Sequence, residues 1–424
     1  MKRKIYDTII QWKTTSSSTT ALLIDGTRRV GKSYIAEEFA RENYKSYILI
    51  DFDRAGKEVT YLFVNYLDDL DNLFMYLSAY YNTKLYQHDS LIIFDEVQLF
   101  PKARAAIKYL VADGRYDYLE TGSLMPIKKN VKDIVIPSEE RHINMYPMDF
   151  EEFLWAMGNE TLVPIMRDSF EKKKPMGQAL HRKAMDYFRQ YMIVGGMPQA
   201  VALYAETRDF ETVDRVKCDI LTLYQQYIMK HSEGNELEVE AVFDEIPAQL
   251  SKHEKRFRLS DIKSGARFRD YKQPFYWLFD AMIVNTCYNS TEPNIGLKLN
   301  KGRKTLKCYM ADTGLLISHA FDENGIVSEE IYKKLLFDKL SVNNGMIMEN
   351  MVVQMLTAAG HRLYFFSKSS RENADERMEI DFLIAKSKVT NKKKITVRTL
   401  AYERADRTAL GHVQRIEYTA TIAF

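Results

Sequence analysis

The sequence predicts an α/β fold built on a parallel sheet, and three observations carry that prediction. Apolar runs of strand length recur at Ala21-Leu22-Leu23-Ile24, Ser46 to Asp51 and Leu91-Ile92-Ile93-Phe94. They are near-continuous rather than alternating, as in strands buried on both faces. Segments with helical spacing lie between and after them, at Tyr34 to Ala40, Leu70 to Tyr81 and Lys102 to Ala112. The gaps also leave room for the crossovers that parallel pairing requires.

In chain order, Tyr6 to Trp12 reads as a short amphipathic helix, and Thr14 to Thr20 as a polar linker. The first strand then runs into Gly26-Thr-Arg-Arg-Val-Gly-Lys-Ser33. This stretch fits G-x-x-x-x-G-K-[ST] at every fixed position, in the strand–loop–helix setting the motif needs. Gly26 and Gly31 permit backbone angles and close approaches that a side chain would block. Successive amides, with the positive end of the next helix, then face phosphate groups. The pattern assigns Lys32 to the β and γ phosphates and Ser33 to a magnesium ion. Thr27, Arg28, Arg29, Val30 and Tyr34 frame the same ligand.

The strand at Leu91 ends in Asp95 and Glu96. At the C-terminal end of a parallel strand, Asp95 is placed to hold the metal through water. Glu96 is then the candidate to orient or deprotonate the attacking water, with Lys32 beside the reacting phosphates. Hydrolysis of a nucleoside triphosphate is the expected reaction. Tyr116 to Ser123 reads as a further strand ending in small polar residues. Thr121 or Ser123 would sense the γ-phosphate there, or cap the next helix.

Composition narrows the class. Sixty Lys+Arg against 58 Asp+Glu leaves a nearly neutral chain, so bulk charge selects no partner. Cys218, Cys287 and Cys308 are widely spaced and form no CxxC pair, against a disulfide framework or a zinc knuckle. No run approaches the ~18 apolar residues of a membrane span, and the N-terminus has no signal-peptide core. A cytoplasmic location and no membrane partner are expected.

The segments GTRRVGKS, LIIFDEVQLFPKA, LETGSL and RHINMYPMDFEEFL resemble the prokaryotic AAA-type P-loop ATPases that carry a C-terminal domain of unknown function. YMIVGGMPQAV from Tyr191, WLFDAMIV from Trp277, YMADTGLL from Tyr309 and GMIMENMVVQML from Gly345 match that family in the same order. The resemblance implies ATP and Mg2+ as ligands and four units. These are a P-loop NTPase parallel sheet at 1–160, a helical lid at 161–240, a winged-helix-like segment at 241–308 and a restriction-endonuclease-like α/β domain at 309–424. Arg141 matches the family's arginine before the strand His142 to Tyr146. It would touch the γ-phosphate in cis or from a neighbouring subunit, the latter requiring an oligomer; pairing with Glu139 or Glu140 in solvent is equally open.

Two later segments bear on partners. Lys252, Lys255, Arg256, Arg258, Lys263, Arg267, Arg269 and Lys272 precede a second basic group, Lys298, Lys301, Arg303, Lys304 and Lys307. A helix, basic turn, helix and basic hairpin form a face that could neutralise DNA phosphates or simply be solvated. In the C-terminal segment, Glu349 on a helix and Asp381 on a strand match a nuclease pair. The following strand, Lys394 to Arg398, lacks the Glu-x-Lys that completes such a site, so nuclease activity is not expected. The likeness stops near Lys394, and the tail from Val397 is expected to reflect a frameshift or truncation. Three functions are compatible with these features: an ATPase that moves its lid and C-terminal parts on DNA, a slow nucleotide-switched module for a protein partner, and, disfavoured, an ATP-dependent nuclease.

Overall fold

The computed structural model describes residues 1–122, 138–232, 234–252, 254–292, 296–321, 331, 332, 334, 344–368, 378–384 and 398–400. Its first unit comprises α1 (Ile5–Thr15), β1 (Ala21–Gly26), α2 (Lys32–Asn43), β2 (Ser46–Asp51), α3 (Lys57–Asn65), α4 (Leu70–Tyr80), β3 (Ser90–Asp95), α5 (Pro101–Asp113), β4 (Asp117–Gly122) and β5 (Glu140–Met145). The strands form one five-stranded sheet in the order β2-β3-β4-β1-β5. Every pairing in it is parallel.

The unbroken apolar run of β1 follows from its central place. Ala21 and Leu23 pack with Val59, Phe74 and Ile107 from α3, α4 and α5. Leu22 and Ile24 pack on the opposite face with Trp12, Ile35 and Phe39 from α1 and α2. Successive strand residues point to opposite faces, so a strand covered twice has no position left for a polar residue. Each fully buried Leu or Ile contributes about 1.5–3 kcal/mol. On the edge strand β2, only Ile48 and Ile50 are fully buried.

A helical region follows: α6 (Phe150–Ala156), α7 (Leu162–Glu171), α8 (Gln178–Val194), α9 (Pro198–Thr207), α10 (Phe210–His231), α11 (Glu236–Ser251) and α12 (Phe268–Asp280). Local signals set its boundaries. Asp149 and Glu152 close a capping box on α6, Pro198 occupies the first turn of α9, and Asp209 caps α10 by accepting from the amides of Glu211 and Thr212. The remaining elements are β6 (Val284–Ser290), β7 (Lys301–Met310), α13 (Thr313–Phe321), α14 (Asn344–Ala358), β8 (Tyr364–Lys368), β9 (Met378–Ile384) and β10 (Arg398–Leu400). Their strands form a second, mixed sheet in the order β10-β9-β8-β6-β7.

The sheet topology bears on the division into units expected beyond residue 160. The helix–helix–hairpin order of a winged helix is present, but the hairpin β6–β7 is no separate wing. Through β8 it continues into the C-terminal sheet, so the expected boundary after residue 308 falls inside β7. One apolar cluster runs from Met148 through Tyr224, Phe243 and Trp277 to Leu383, joining the helical region and the second sheet into a common core. The expectation of a truncated tail falls mostly on residues 397 and 401–424, outside the described residues. Arg398–Leu400 within it pairs antiparallel with β9.

Candidate active site

The glycine-rich loop closes around its own lysine. Gly26 ends β1 against β5, where a Cβ would stand 2.5 Å from Met145 O and 3.1 Å from Val30 Cγ1, so only glycine fits. Arg29 and Gly31 both take positive φ, 66° and 95°; such left-handed turns aim successive amides into one concavity. Lys32 opens α2 and is buried, its Nζ donating to Gly26 O at 2.9 Å and Thr27 O at 3.1 Å. Burial lowers the Lys32 pKa, opposed by the carboxylates of Glu96, Asp25 and Asp95. Tyr34, the third residue of α2, is 61% exposed.

Parallel register delivers the other groups to the same edge. Phe94 pairs with Glu120, so Asp95 and Thr121 emerge side by side at the ends of β3 and β4. Ser33 Oγ donates to Asp95 Oδ1 at 2.8 Å, and Thr121 Oγ1 donates to the same oxygen. Glu96 turns left-handed at φ 52°, with its amide donating to Thr121 Oγ1 at 3.3 Å and its carboxylate accepting from Gln98 Nε2. Lys32, Ser33, Asp95, Glu96 and Thr121 are therefore together. Ser123 lies outside the described residues.

Arg141 is not with them. It lies within β5 rather than before it, exposed and paired with Leu22, whereas the loop begins after Gly26, level with Met145. Four strand positions separate the two levels, about 13 Å at the usual rise, so a cis contact with a phosphate in the loop is not formed here. Nor does Glu140 neutralise Arg141. It accepts from Arg104 Nε and Nη2 at 2.9 and 2.8 Å and pairs with His142.

Residues far away in sequence hold the loop from outside, and no motif announced them. Thr27 Oγ1 donates to Tyr224 OH at 3.0 Å, and Tyr224 OH donates to Arg28 O at 3.3 Å. The Arg28 guanidinium lies 5.1 Å from the centre of the Tyr227 ring. Arg3 donates to Val30 O at 3.2 Å, Tyr146 O at 2.7 Å and Glu152 Oε1 at 3.1 Å. Gln98 had a local signal, two residues beyond an acidic pair.

The basic segment divides on folding. Lys252 pairs with Asp261 at 2.6 Å, Arg258 with Glu254 at 3.4 Å, and Lys255 with Glu349. Arg256 donates to Ser367 Oγ. Lys307 is buried between Asp381 at 2.9 Å and Glu379 at 3.3 Å. Burial would lower its pKa, but the carboxylates of Asp381, Glu349 and Glu379 raise it. Lys263, Arg267, Arg269, Lys272 and Lys298 remain exposed. Glu349 and Asp381 are thus each neutralised by a lysine. Among the described residues no cluster of three or more His, Cys, Asp and Glu side chains is placed to hold a metal ion.

Residues 18–154 match the family model of an AAA domain. That span contains the whole of the loop and acidic-strand geometry, so the chain carries an AAA-type P-loop domain. Residues 185–324 match the model of a domain of unknown function (DUF8612). Among solved structures, the chain is similar to an ORC1 protein of Aeropyrum pernix in complex with DNA, at 11% identity and a TM-score of 0.31, covering 76% of this chain and 93% of that one. A Pyrococcus horikoshii signal-transduction ATPase with a tetratricopeptide repeat sensor gives 12%, 0.30, 84% and 48% on the same measures. Cdc6p from Pyrobaculum aerophilum gives 13%, 0.26, 78% and 92%. No curated protein sequence matches. No described helix is long and apolar enough to cross a membrane.

Proposed function

We propose that this chain binds Mg-ATP in the Gly26–Ser33 loop, hydrolyses it, and uses the cycle to move its helical and C-terminal parts. The convergence of Ser33 and Thr121 on Asp95, beside the buried Lys32, carries this reading. Ser33 Oγ and Asp95 Oδ1 are hard oxygen donors of the kind and number that magnesium takes from a protein, while it keeps waters and phosphate oxygens. A magnesium ion held by Ser33 and Asp95 would neutralise charge on the β and γ phosphates.

The chain's own groups supply the rest. The loop amides accept the phosphates. The Lys32 ammonium, held back at present by Gly26 O and Thr27 O, brings a positive charge to them. A buried ammonium with a lowered pKa is stabilised by that incoming anion, so phosphate binding and retention of the lysine proton reinforce each other. Glu96 orients the attacking water and takes its proton once Gln98 releases the carboxylate. Thr121, bonded to Asp95 and to the Glu96 amide, links the metal ligand to the base.

Turnover of ATP with magnesium tests the proposal. Glu96→Gln should lose about 10²–10⁴-fold in turnover and still bind ATP, whereas Lys32→Ala should lose binding. A wild-type chain with neither turnover nor an ATP-induced rise in melting temperature would sink the reading.

A DNA partner is the second reading, favoured by the basic residues that folding leaves exposed around α12. Lys263, Arg267, Arg269 and Lys272 share that surface with Tyr276, a mixture suited to phosphate contact. Severalfold stimulation of turnover by duplex DNA, lost in Arg267→Glu/Lys272→Glu, supports it. Turnover indifferent to DNA removes that reading and sends the search to a protein partner.

A further inference from the structure

We infer that Tyr224 and Arg3 are positioning residues that set the direction of the anion-binding amides in the Gly26–Ser33 loop; this rests on the ATP reading above. The argument begins with the planar peptide. In a trans unit the carbonyl and the following N–H point in opposite directions, and the chain has no cis bonds among the described residues. Tyr224 OH draws Arg28 O toward α10, which turns the Arg29 amide away from that helix. Arg3 draws Val30 O toward itself, which turns the Gly31 amide away from Arg3. Gly26 O and Thr27 O meanwhile face Lys32. Two carbonyls are thus tied outward, and the two amides that follow them are turned toward the lysine side, where the phosphates are expected.

Both ties are built for precision. Tyr224 is buried, and its hydroxyl is doubly engaged, accepting from Thr27 Oγ1 and donating to Arg28 O. Its helix is anchored about 10 Å away at Lys217, which donates to Ile193 O at 3.0 Å, and about 15 Å away at Asp214, which accepts from Ser318 Oγ at 2.6 Å. Arg3 is buried too, with its fork fixed by Glu152 and Tyr146 O. The ties also offset local strain, because Arg29 is held at a positive φ that non-glycine residues rarely adopt. A catalytic constellation needs such a supporting layer to hold its geometry.

The test compares the wild-type chain with Tyr224→Phe and Arg3→Lys. Tyr224→Phe keeps the ring and removes only the hydroxyl; Arg3→Lys keeps the charge but loses the planar fork. ATP affinity is measured by titration calorimetry, KM and kcat for Mg-ATP by steady-state turnover, and melting temperature without nucleotide. Each variant should bind ATP about tenfold more weakly, with KM rising by a similar factor and kcat changing far less. The nucleotide-free melting temperature should fall by only about 2–4 °C. Melting temperatures that fall while affinity and KM stay within about twofold of wild type reveal a merely structural role and overturn the inference. Should Tyr224→Phe not fold, Arg3→Lys decides by the same criteria. A wild-type chain that does not bind ATP removes the functional reading itself, and the inference with it.

Discussion

Gly196 offers the sharpest test of how the AAA sheet is joined to the helical region. It faces Met148, three residues beyond β5, and a Cβ there would stand 2.7 Å from Met148 N and closer still to Met148 O. Non-bonded heavy atoms in ordinary contact sit about 3.5 Å apart, so Gly196→Ala forces the two backbones apart by more than about an ångström. Neither can retreat freely. Met148 N donates to Gly196 O at 2.7 Å, Tyr191 OH donates to Met148 O at 2.6 Å, and Gly196 N donates to the buried Asp312 at 2.5 Å. Each buried backbone group left unpaired costs about 1–3 kcal/mol, so losing the Met148–Gly196 bond and disturbing one neighbour totals about 3–5 kcal/mol. At about 2–4 °C per kcal/mol for a domain of this size class, the melting temperature should drop by roughly 10 °C. Gly114→Ala is the control. That residue has φ 73° and nothing within 4 Å of the built Cβ, so it should cost only the left-handed strain, about 1–2 kcal/mol. Thermal melting of both variants without nucleotide decides the matter. A Gly196→Ala chain as stable as Gly114→Ala would refute the close joint.

Other perturbations read other parts of the site. Arg141→Ala should leave ATP turnover within about twofold of wild type, since the side chain sits four strand positions from the loop; a loss of about 10³-fold, as for an arginine finger, would instead require the residue to act on a neighbouring copy. The buried pair Glu120 and Glu140 should impose opposite pH dependences on stability. Burial, then the charge of Glu140, holds the Glu120 pKa well above the ordinary range, so the folded state keeps a proton that the unfolded state releases, and stability falls as pH rises above about 4.5 at about 1.4 kcal/mol per unit. For Glu140, burial raises the pKa but hydrogen bonds from His142, Arg104 and Glu120 outweigh it and bring it down to about 2; its contribution is therefore present above about 4.5 and is lost as pH falls toward 2. Denaturant titrations of Glu120→Gln between pH 5 and 8 should show a stability advantage over wild type that grows with pH, and a constant difference would mean that Glu120 is ionised in the folded chain.

The candidate site's edge was legible in the sequence because a parallel α/β sheet gathers strand ends. Any polar residue that terminates a buried apolar run, as Asp95 and Thr121 do, emerges at the same edge as the loop after β1. Local order was therefore enough to bring Lys32, Ser33, Asp95, Glu96 and Thr121 together. It did not bring Arg141 to the loop in cis, because reading that arginine as a contact to a phosphate of its own chain needed the register of β5 against β1. The residue stands level with Leu22 and not with Gly26. It failed also for Tyr224 and Arg3, which reach the loop across 196 and 27 positions of sequence. A tyrosine at helical spacing reads as core, and Tyr224 is indeed buried core; only its hydroxyl has a further task.

The C-terminal half shows the same limit through charge. Read along the chain, Lys255 and Lys307 belonged to a basic face that could meet DNA or simply be solvated, and Glu349 and Asp381 to a nuclease-like carboxylate pair expected to be inactive. Folding pairs one set with the other. Lys255 meets Glu349, and Lys307 meets Asp381, with Tyr309 OH donating to Glu349 at 3.1 Å. A carboxylate already paired with an ammonium has less negative charge to offer a metal, and that ammonium has less positive charge to offer a phosphate. Removing one partner of the Lys307–Asp381 pair, whose lysine is buried, leaves the other charge uncompensated, which costs about 3–5 kcal/mol. The cost ties both sets to the packing between the second sheet and α14. Among the described residues of the basic segment, Lys263, Arg267, Arg269, Lys272 and Lys298 stay exposed, so the proposed DNA reading rests on them and not on Lys255 or Lys307.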